Sequence, residues 1–328
     1  MAAILIVGGA GFIGSHTAKA VAEAGLQPVV FDDLSSGHEW ALRWGAFERG
    51  DLANQPSIVA AIRRHDVKAV MQFAGFIEVG ESVRNPSKYF RGNLVNTLNL
   101  LDAMVETGVR DIVFSSTAAV YGVPLQVPIH EDHPLLPVNP YGESKLGVER
   151  ALAAYETAHG LRWAALRYFN AAGGDPQGAI GEAHAPESHL IPLAIAAALG
   201  QRGPLQVFGN DYPTPDGTAV RDYVHVVDLA DAHLLAVRHL ERGLGSFAAN
   251  LGTGRGHSVT EVIASIERVS GRPVPRALAP RRAGDPPVLV ADPAKASRLL
   301  GWRPKYPELD TMVAHAWAWH QRRGGGAG

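Results

Sequence analysis

Cysteine is absent from this chain of 328 residues, which excludes disulfide frameworks, thiolate nucleophiles and cysteine-ligated zinc. A charge surplus is lacking too: 30 Lys and Arg stand against 32 Asp and Glu. No global field therefore draws nucleic acid or anionic lipid, and neither is expected as a partner. Long apolar runs are missing. The longest, Leu190–Leu199, is about half of the ~20 residues a membrane-spanning helix needs. The apolar opening, Ala2 to Val7, has no basic stretch before it and runs into glycines, so it reads as a strand rather than a leader. A soluble, cytoplasmic protein is the expectation. No internal repeat is visible, and the one low-complexity segment is the glycine-rich tail, 321–328, expected to be disordered. The apolar share is ample at 46%, enough for a sizeable core. At roughly 150 residues per domain the length suggests two domains or one large one.

The first half alternates short β-branched runs with helical stretches. Strands are expected at Ile4–Val7, Gln27–Phe31, Val67–Phe73 and Asp111–Ser115. Helices are expected at Ser15–Ala24, Ser57–Arg64 and Asn93–Thr107, the last with Leu94, Leu98, Leu101 and Val105 on one face. Strands separated by single helices indicate βαβ units, hence an α/β fold with a doubly wound parallel sheet of Rossmann type. Past about residue 171 the texture changes. Glycine, proline and charge thicken through Ala171–Glu187, Gly209–Gly217 and Arg272–Pro287, and loops that long in a compact protein are usually functional. Residues 1–170 are expected to form the Rossmann domain, rejoined by about 218–255. Residues 171–217 and 256–320 would form a smaller mixed α/β domain.

Gly8, Gly11 and Gly14 form G-x-x-G-x-x-G between the first strand and the first helix. Without side chains there, the turn can be tight, a pyrophosphate can approach the backbone, and helix can pack closely on strand. The helix N-terminus then offers unpaired N–H groups to the phosphates, at Phe12 and Ile13 among others. Alone, this spacing also suits a purely structural turn. The second strand, however, ends in Asp32, twenty-four residues after Gly8, where a carboxylate accepts both adenosine ribose hydroxyls and repels a 2′-phosphate. NAD is thereby favoured over NADP. Asp51 and Leu52, after the next short run, suit an adenine contact.

Tyr141-Gly-Glu-Ser-Lys145 is Y-x-x-x-K on an expected helix, which puts both side chains on one face. A free tyrosine titrates near ~10. Lowering that by about three units, so that the phenolate can act as a base, requires about 4 kcal/mol from a nearby ammonium or the nicotinamide charge. By itself the spacing is common. Ser115-Ser116-Thr117 at the end of the fourth strand adds context, because open α/β sheets bind ligands beyond their strands' carboxyl ends. Thr117 would bridge a substrate oxygen and Tyr141. His184 and His189 lie in an acidic loop, but no further ligand stands at metal spacing in the sequence, so no metal site is expected.

Added to Phe73-Ala74-Gly75, Val79-Gly80-Glu81-Ser82-Val83, Phe114–Gly122 and Leu166–Asn170, these segments resemble the extended short-chain dehydrogenase/reductase family over nearly the whole chain. The blocks Phe208–Tyr212, Asp216–Thr218, Val220–Val226 and Pro280–Asp285 are similar to its UDP-sugar 4-epimerases. The resemblance implies reversible, NAD-dependent 4-epimerisation of UDP-glucose and UDP-galactose through a transient 4-keto sugar. Tyr141 would take the O4 proton with Thr117 orienting it, while Lys145 would anchor the nicotinamide ribose and lower the Tyr141 pKa. The cofactor set it implies adds Phe73, Ala74, Gly75, Asn93, Ser115 and Tyr168 to the glycine loop, Asp32, Asp51 and Leu52. The UDP-sugar set is Asn170, His189, Leu190, Gln206, Phe208, Arg221, Arg282 and Asp285, with Thr117 and Tyr141 at the sugar. Guanidinium forks suit a diphosphate. A homodimer through the helices containing 93–107 and 141–157 is also implied.

One position separates reaction types. Thr117 is followed by Ala118 and Ala119, where related dehydratases carry an Asp-Glu pair to eliminate water. Without that carboxylate, an oxidised sugar can only be reduced again, which favours epimerisation. Three positions depart from the family. Ile77 stands where many members have a Lys that reaches the cofactor, so weaker NAD retention is expected. Ser188-His189 stands where some members have an Asn pair. Leu289 is intermediate in size at a gate that discriminates N-acetylated sugars. A 4-epimerase of UDP-N-acetylglucosamine or of a UDP-pentose is therefore the alternative, and a non-catalytic NAD-binding regulator a remote one.

Overall fold

The computed structural model describes residues 2–282 and 284–324. Along the chain come β1 (Ala3–Val7), β2 (Gln27–Asp32), β3 (Ala46–Arg49), β4 (Val67–Gln72), β5 (Asp111–Thr117) and β6 (Arg162–Tyr168). They are followed by β7 (Asn170–Ala172), β8 (Leu205–Phe208), β9 (Val220–His225), β10 (Phe247–Leu251), β11 (Gly256–Ser258), β12 (Arg276–Ala279) and β13 (Val288–Leu289). Seven of these form one sheet in the order β10-β6-β5-β4-β1-β2-β3, with every pairing parallel. This is the doubly wound order, and its reversal between β1 and β4 opens a crevice at the strands' carboxyl ends.

Strands covered on both faces need apolar side chains on both, and β1 is buried throughout. Its Ala3, Leu5 and Val7 pack with Ile58, Ile62, Leu100, Leu101, Met104, Val148 and Leu152 from the helices Gln55–Arg64, Asn96–Thr107 and Pro140–His159. Its Ile4 and Ile6 face Ala18, Val21, Leu229, Ala236 and Val237 from the helices Phe12–Glu23 and Val226–Glu241. The α/β doubly wound expectation holds.

The smaller part is built on two further sheets, a four-stranded one of β11, β9, β13 and β7, and the pair β12-β8. Its core gathers Ile191, Ile195, Leu205, Val207, Val262, Ile266, Met312, Val313 and Trp317. The chain changes sides differently from the expected boundaries. Strand β9, inside 218–255, belongs to the small sheet, with Tyr223 in the small core and Val224 in the large one. Conversely Ala296 and Trp302, inside 256–320, pack in the Rossmann core. Trp302 is drawn there because its indole Nε1 donates to the Asp228 carbonyl at 2.9 Å.

Two further expectations are corrected. The segment expected as one helix from Asn93 is π-helical over Phe90–Val95 and α-helical only from Asn96 to Thr107. The wider π turn rotates the face, so Leu100, Leu101, Ala103 and Met104 are buried while Val105 is exposed. The tail is not disordered from residue 321: the last helix runs Leu309–Gly324, and Arg322 donates to the Gln177 carbonyl at 2.7 Å. Residues 325–328 of that tail lie outside the described residues.

Candidate active site

Every cofactor residue expected near a strand end lies along the carboxyl edge of the large sheet. Gly8 follows β1 at φ +78°, and a Cβ there would meet the Ala74 backbone nitrogen at 2.5 Å. A Cβ on Gly14 would run into the Gly8 carbonyl oxygen, whereas one on Gly11 would meet only that oxygen at 3.4 Å. The first two glycines thus allow backbone to pack on backbone, and the third leaves open space beside the N-terminus of Phe12–Glu23. That is the shape a pyrophosphate needs. Asp32 is buried at the end of β2. Its carboxylate accepts from the Ala10 and Leu34 backbone N–H groups, each at 2.9 Å. Burial raises its pKa and these two bonds oppose the rise. Leu34 is held at φ +63°, a left-handed conformation that costs a leucine about 1 kcal/mol or more.

Asp51 is exposed and caps the Ala53 N–H at 2.8 Å. Leu52 is buried in the core and its carbonyl takes a bond from Asn99 at 3.0 Å. The Phe73-Ala74-Gly75 turn is fixed by two buried amides. Gln72 accepts from the Ala74 N–H at 2.9 Å. Asn93 brackets Phe76, accepting from its N–H at 2.7 Å and donating to its carbonyl at 3.0 Å, and also donates to Ser144 Oγ at 3.0 Å. Asn93 thus ties the turn to the helix carrying Tyr141 and Lys145, and the π-helical segment aims it there. Ile77, beyond this turn, is exposed.

The helix Pro140–His159 starts where its sequence requires. Asn139 caps it by accepting from the Gly142 N–H at 2.9 Å, with Pro140 at the first position. Gly142 is needed for close approach, since a Cβ would fall 2.6 Å from the Ala119 carbonyl oxygen. This brings the helix onto the end of β5. Lys145 is buried, donates to the Ser115 carbonyl at 3.0 Å and lies 4.9 Å from the Phe114 ring centroid. Burial lowers its pKa to about 8. Thr117 is buried beside Tyr141 and accepts from the Ala119 N–H at 3.1 Å. Ser115 Oγ hydrogen-bonds the Tyr168 hydroxyl from the neighbouring strand. The expected lowering of the Tyr141 pKa is absent from the protein alone: burial raises it, and only Thr117 pulls it down. A positive charge beside the phenol must come with the cofactor.

A buried ionic network beneath this triad was not anticipated. Glu149, one turn past Lys145, accepts from Ser116 Oγ at 2.5 Å and takes both prongs of the Arg167 guanidinium at 3.0 and 2.6 Å. Arg167 also donates to the Tyr121 hydroxyl at 2.9 Å, which donates to Asn250 at 2.6 Å. The signal was available: Tyr141, Lys145 and Glu149 recur every four residues on one helix face.

The expected nucleotide residues gather on the small domain. Arg282 lies over the Phe208 ring, 4.2 Å from its centroid. Phe208 is half-buried. Arg221 pairs with Asp285 and donates to the Val220 carbonyl at 2.7 Å. Asn170 donates to the Asp222 carbonyl at 3.0 Å. Gln206 is exposed, and its side chain donates to the Pro204 carbonyl at 3.4 Å. Leu190 opens the helix Leu190–Ala198. His189, just before it, has its Nδ1 occupied at 2.9 Å from both Glu182 and Glu187. Leu289 packs with Tyr121, Ile129 and Phe169. The sequence reading that no further ligand accompanies His184 and His189 does not hold: Glu182 and Glu187 fold back onto them. Their one- and two-residue gaps match no linear metal motif, so only the loop's path brings them together.

A doubly wound sheet with this glycine turn, an acidic second-strand end and a Tyr-Lys pair after β5 defines a Rossmann-type dinucleotide-binding enzyme scaffold. The chain belongs to the NAD dependent epimerase/dehydratase family, which it matches over residues 4–252. It is 51% identical over 323 residues to the UDP-glucose 4-epimerase of Rhizobium meliloti, covering 98% of each chain. It is 50% identical over 319 residues to that of Halalkalibacterium halodurans, covering 97% of this chain and 96% of the relative. The crystal structure of UDP-glucose 4-epimerase from Brucella ovis in complex with NAD superposes with a TM-score of 0.95 at 52% identity, over 97% of this chain and 98% of that one.

Proposed function

We propose that the chain interconverts UDP-glucose and UDP-galactose by NAD-dependent 4-epimerisation. The observation that carries the reading is the meeting of Thr117, Tyr141 and Lys145 at the carboxyl end of β5, with Ala118 and Ala119 next in line. The site has a proton acceptor and no carboxylate there for elimination. The glycine loop, Asp32 and the Phe73–Gly75 turn would hold NAD, which supplies a hydride acceptor and donor at the sugar C4. Tyr141 would take the O4 proton and give it back, with Thr117 fixing the hydroxyl it acts on. Lys145, aligned by the Ser115 carbonyl, would hold the ribose hydroxyls. Residues 1–170 would form the cofactor side. Residues 171–217 and 256–320 would supply most of the UDP grip, through Phe208, Arg282 and Asp285, joined by Arg221 from β9. Leu289, held in its apolar cluster, favours the unsubstituted hexoses over N-acetylated ones.

A homodimer is part of the proposal. Val95 and Val105 are exposed on the outer side of the 90–107 segment, next to a helix whose Gly147 approaches Leu94. A cytoplasmic setting completes it; among the described residues no helix is long and apolar enough to cross a membrane. The test is proton NMR of the purified chain with UDP-galactose and no added NAD. The UDP-glucose anomeric signal is expected, with its rate cut by about 10²–10⁴-fold in Tyr141→Phe. Activity only after NAD is added would trace to Ile77 in place of the family lysine. Silence with NAD present would overturn the assignment.

A further inference from the structure

The loop leading into the helix Leu190–Ala198 gathers two imidazoles and two carboxylates, from Glu182, His184, Glu187 and His189, with one ligand atom of each within 4.8 Å of the others. Glu182 is almost wholly buried, and the other three are partly so. Both imidazole Nδ1 atoms converge on one oxygen, Glu182 Oε1, at 3.1 Å from His184 and 2.9 Å from His189. Glu187 lies 2.9 Å from His189 Nδ1 and 3.7 Å from His184 Nδ1. The edge of a tetrahedron with bonds of about 2.0–2.1 Å is about 3.3 Å, which these separations bracket.

A plain ion-pair network would hold the same four residues, with both histidines protonated. Two features disfavour it as the whole account. The histidine rings lie 5.0 Å apart, so two imidazolium charges would crowd each other. And His184 Nδ1, buried and 3.1 Å from a carboxylate oxygen, makes no hydrogen bond: it faces the cluster without being aimed at that oxygen. A buried imidazole nitrogen left without a hydrogen bond among the described residues, beside two carboxylates and a second imidazole, is open to a metal ion.

We propose that Glu182, His184, Glu187 and His189 form a binding site for one divalent transition cation of the zinc type. Two imidazoles with two carboxylates suit zinc or cobalt, and are poor ligands for calcium or magnesium. The two carboxylates balance the cation's charge themselves, which matters because Arg202 and Arg323 also line the adjoining cleft of about 570 Å³. That cleft, which His184 and Glu187 border, gives the ion a route in from solvent. The site's place in the fold indicates its role. The Glu182 carbonyl accepts from Trp319 at 3.0 Å, the Ala183 carbonyl lies 2.5 Å from His38 Nε2, and Ser188 donates to Glu78 at 2.6 Å. His184 stands edge-on to Phe12 at the glycine turn, 6.4 Å between rings. A bound cation would cross-link a loop that touches the cofactor cradle at one end and starts the Leu190 helix at the other. The role is positional, and it uses His189 as an ion ligand rather than as the UDP-sugar contact the resemblance implies.

The test titrates the full-length, chelator-treated protein with Co²⁺ and follows the visible d–d bands of four-coordinate cobalt. One equivalent per chain is expected, displaced by Zn²⁺ and untouched by excess Mg²⁺. The double substitution His184→Gln/Glu187→Gln is expected to weaken binding by more than about a hundredfold, beyond the about 10–100-fold that losing an outer partner of a ligand costs. Circular dichroism checks that the variant folds. A second readout needs no variant: Zn²⁺ should protect His184 and His189 from diethyl pyrocarbonate while leaving His130 reactive. Octahedral cobalt spectra, binding unchanged in the double variant, or protection that omits both histidines would each overturn the site.

Discussion

Lys145 shows how one residue couples chemistry to stability. Its ammonium is buried against the Ser115 carbonyl, and burial brings its pKa from 10.5 down to about 8. A lysine whose folded pKa lies below its unfolded value makes folding costlier wherever the group must carry charge. The cost is complete below pH 8, declines as pH rises and is gone near 10.5. Two to three pKa units correspond to about 3 kcal/mol. The cofactor-free Lys145→Met variant should therefore be more stable than the parent chain at pH 7, by up to about 3 kcal/mol, though inactive. Urea midpoints measured from pH 7 to 10.5 should converge as the alkaline limit is approached. A variant less stable at pH 7 would mean that the bond to the Ser115 carbonyl outweighs the desolvation of the charge. The neighbouring Tyr141 makes the same point in reverse, because burial moves it away from basicity. Neither group is tuned until a ligand brings charge into the crevice.

At the scale of elements, the stripe Tyr141, Lys145, Glu149 on one helix joins the crevice to the core of β5 and β6. Glu149 and Arg167 are both nearly inaccessible to solvent, and a buried pair that loses one partner leaves an uncompensated charge. Glu149→Gln keeps the shape and removes only the charge. It should destabilise the protein by about 3–5 kcal/mol, read as a fall in the urea midpoint, and Glu149→Gln/Arg167→Met should recover much of that loss. This network also marks where the sequence stops being readable. The strands of the parallel sheet were legible because burial on both faces demands continuous apolar runs, and the glycine turn because close backbone packing tolerates no Cβ. Asp32, Thr117, Tyr141 and Lys145 were legible as positions because strand ends and helix spacing place them. The π-helical turn at Phe90–Val95 was not, since its composition is that of any helix and only the demand for Asn93 to reach Phe76 and Ser144 sets it. The crossing of β9 into the small sheet was equally hidden, because a strand with one face in each core carries the same alternation as any other.

Across the whole molecule, buried histidines decide the response to acid. His16, His233 and His225 are almost wholly inaccessible. Burial lowers their pKa values to about 4, about 4 and about 3. They occupy joints between layers: His233 lies 4.6 Å from the Phe73 ring, and His225 caps the helix Val226–Glu241 while meeting His315 at 2.9 Å. Each is neutral in both states above pH 6.5 and adds nothing there. Between 6.5 and about 4 the unfolded chain binds the proton and the folded one resists, so stability falls with pH, by about 3 kcal/mol per residue at the acid limit. Glu182, Glu187 and Asp175, whose pKa values their partners hold low against burial, lose their contribution in the same direction. His184 acts at the other end. Burial opposes its charge, but the neighbouring Glu182 and Glu187 carboxylates raise its pKa to about 9, so its contribution is complete below 6.5 and lost as pH rises through 9. Three such histidines together rival the ~5–15 kcal/mol that holds a protein folded. The chain should therefore unfold in acid before pH 4 is reached, with the steepest loss of urea midpoint between 6.5 and 4. His233→Leu should flatten that slope without moving the midpoint at pH 8 upward by more than about 1 kcal/mol. A midpoint unchanged down to pH 4 would mean that the Asp175 carboxylate, which favours the charged form of His16 and His225, outweighs their burial.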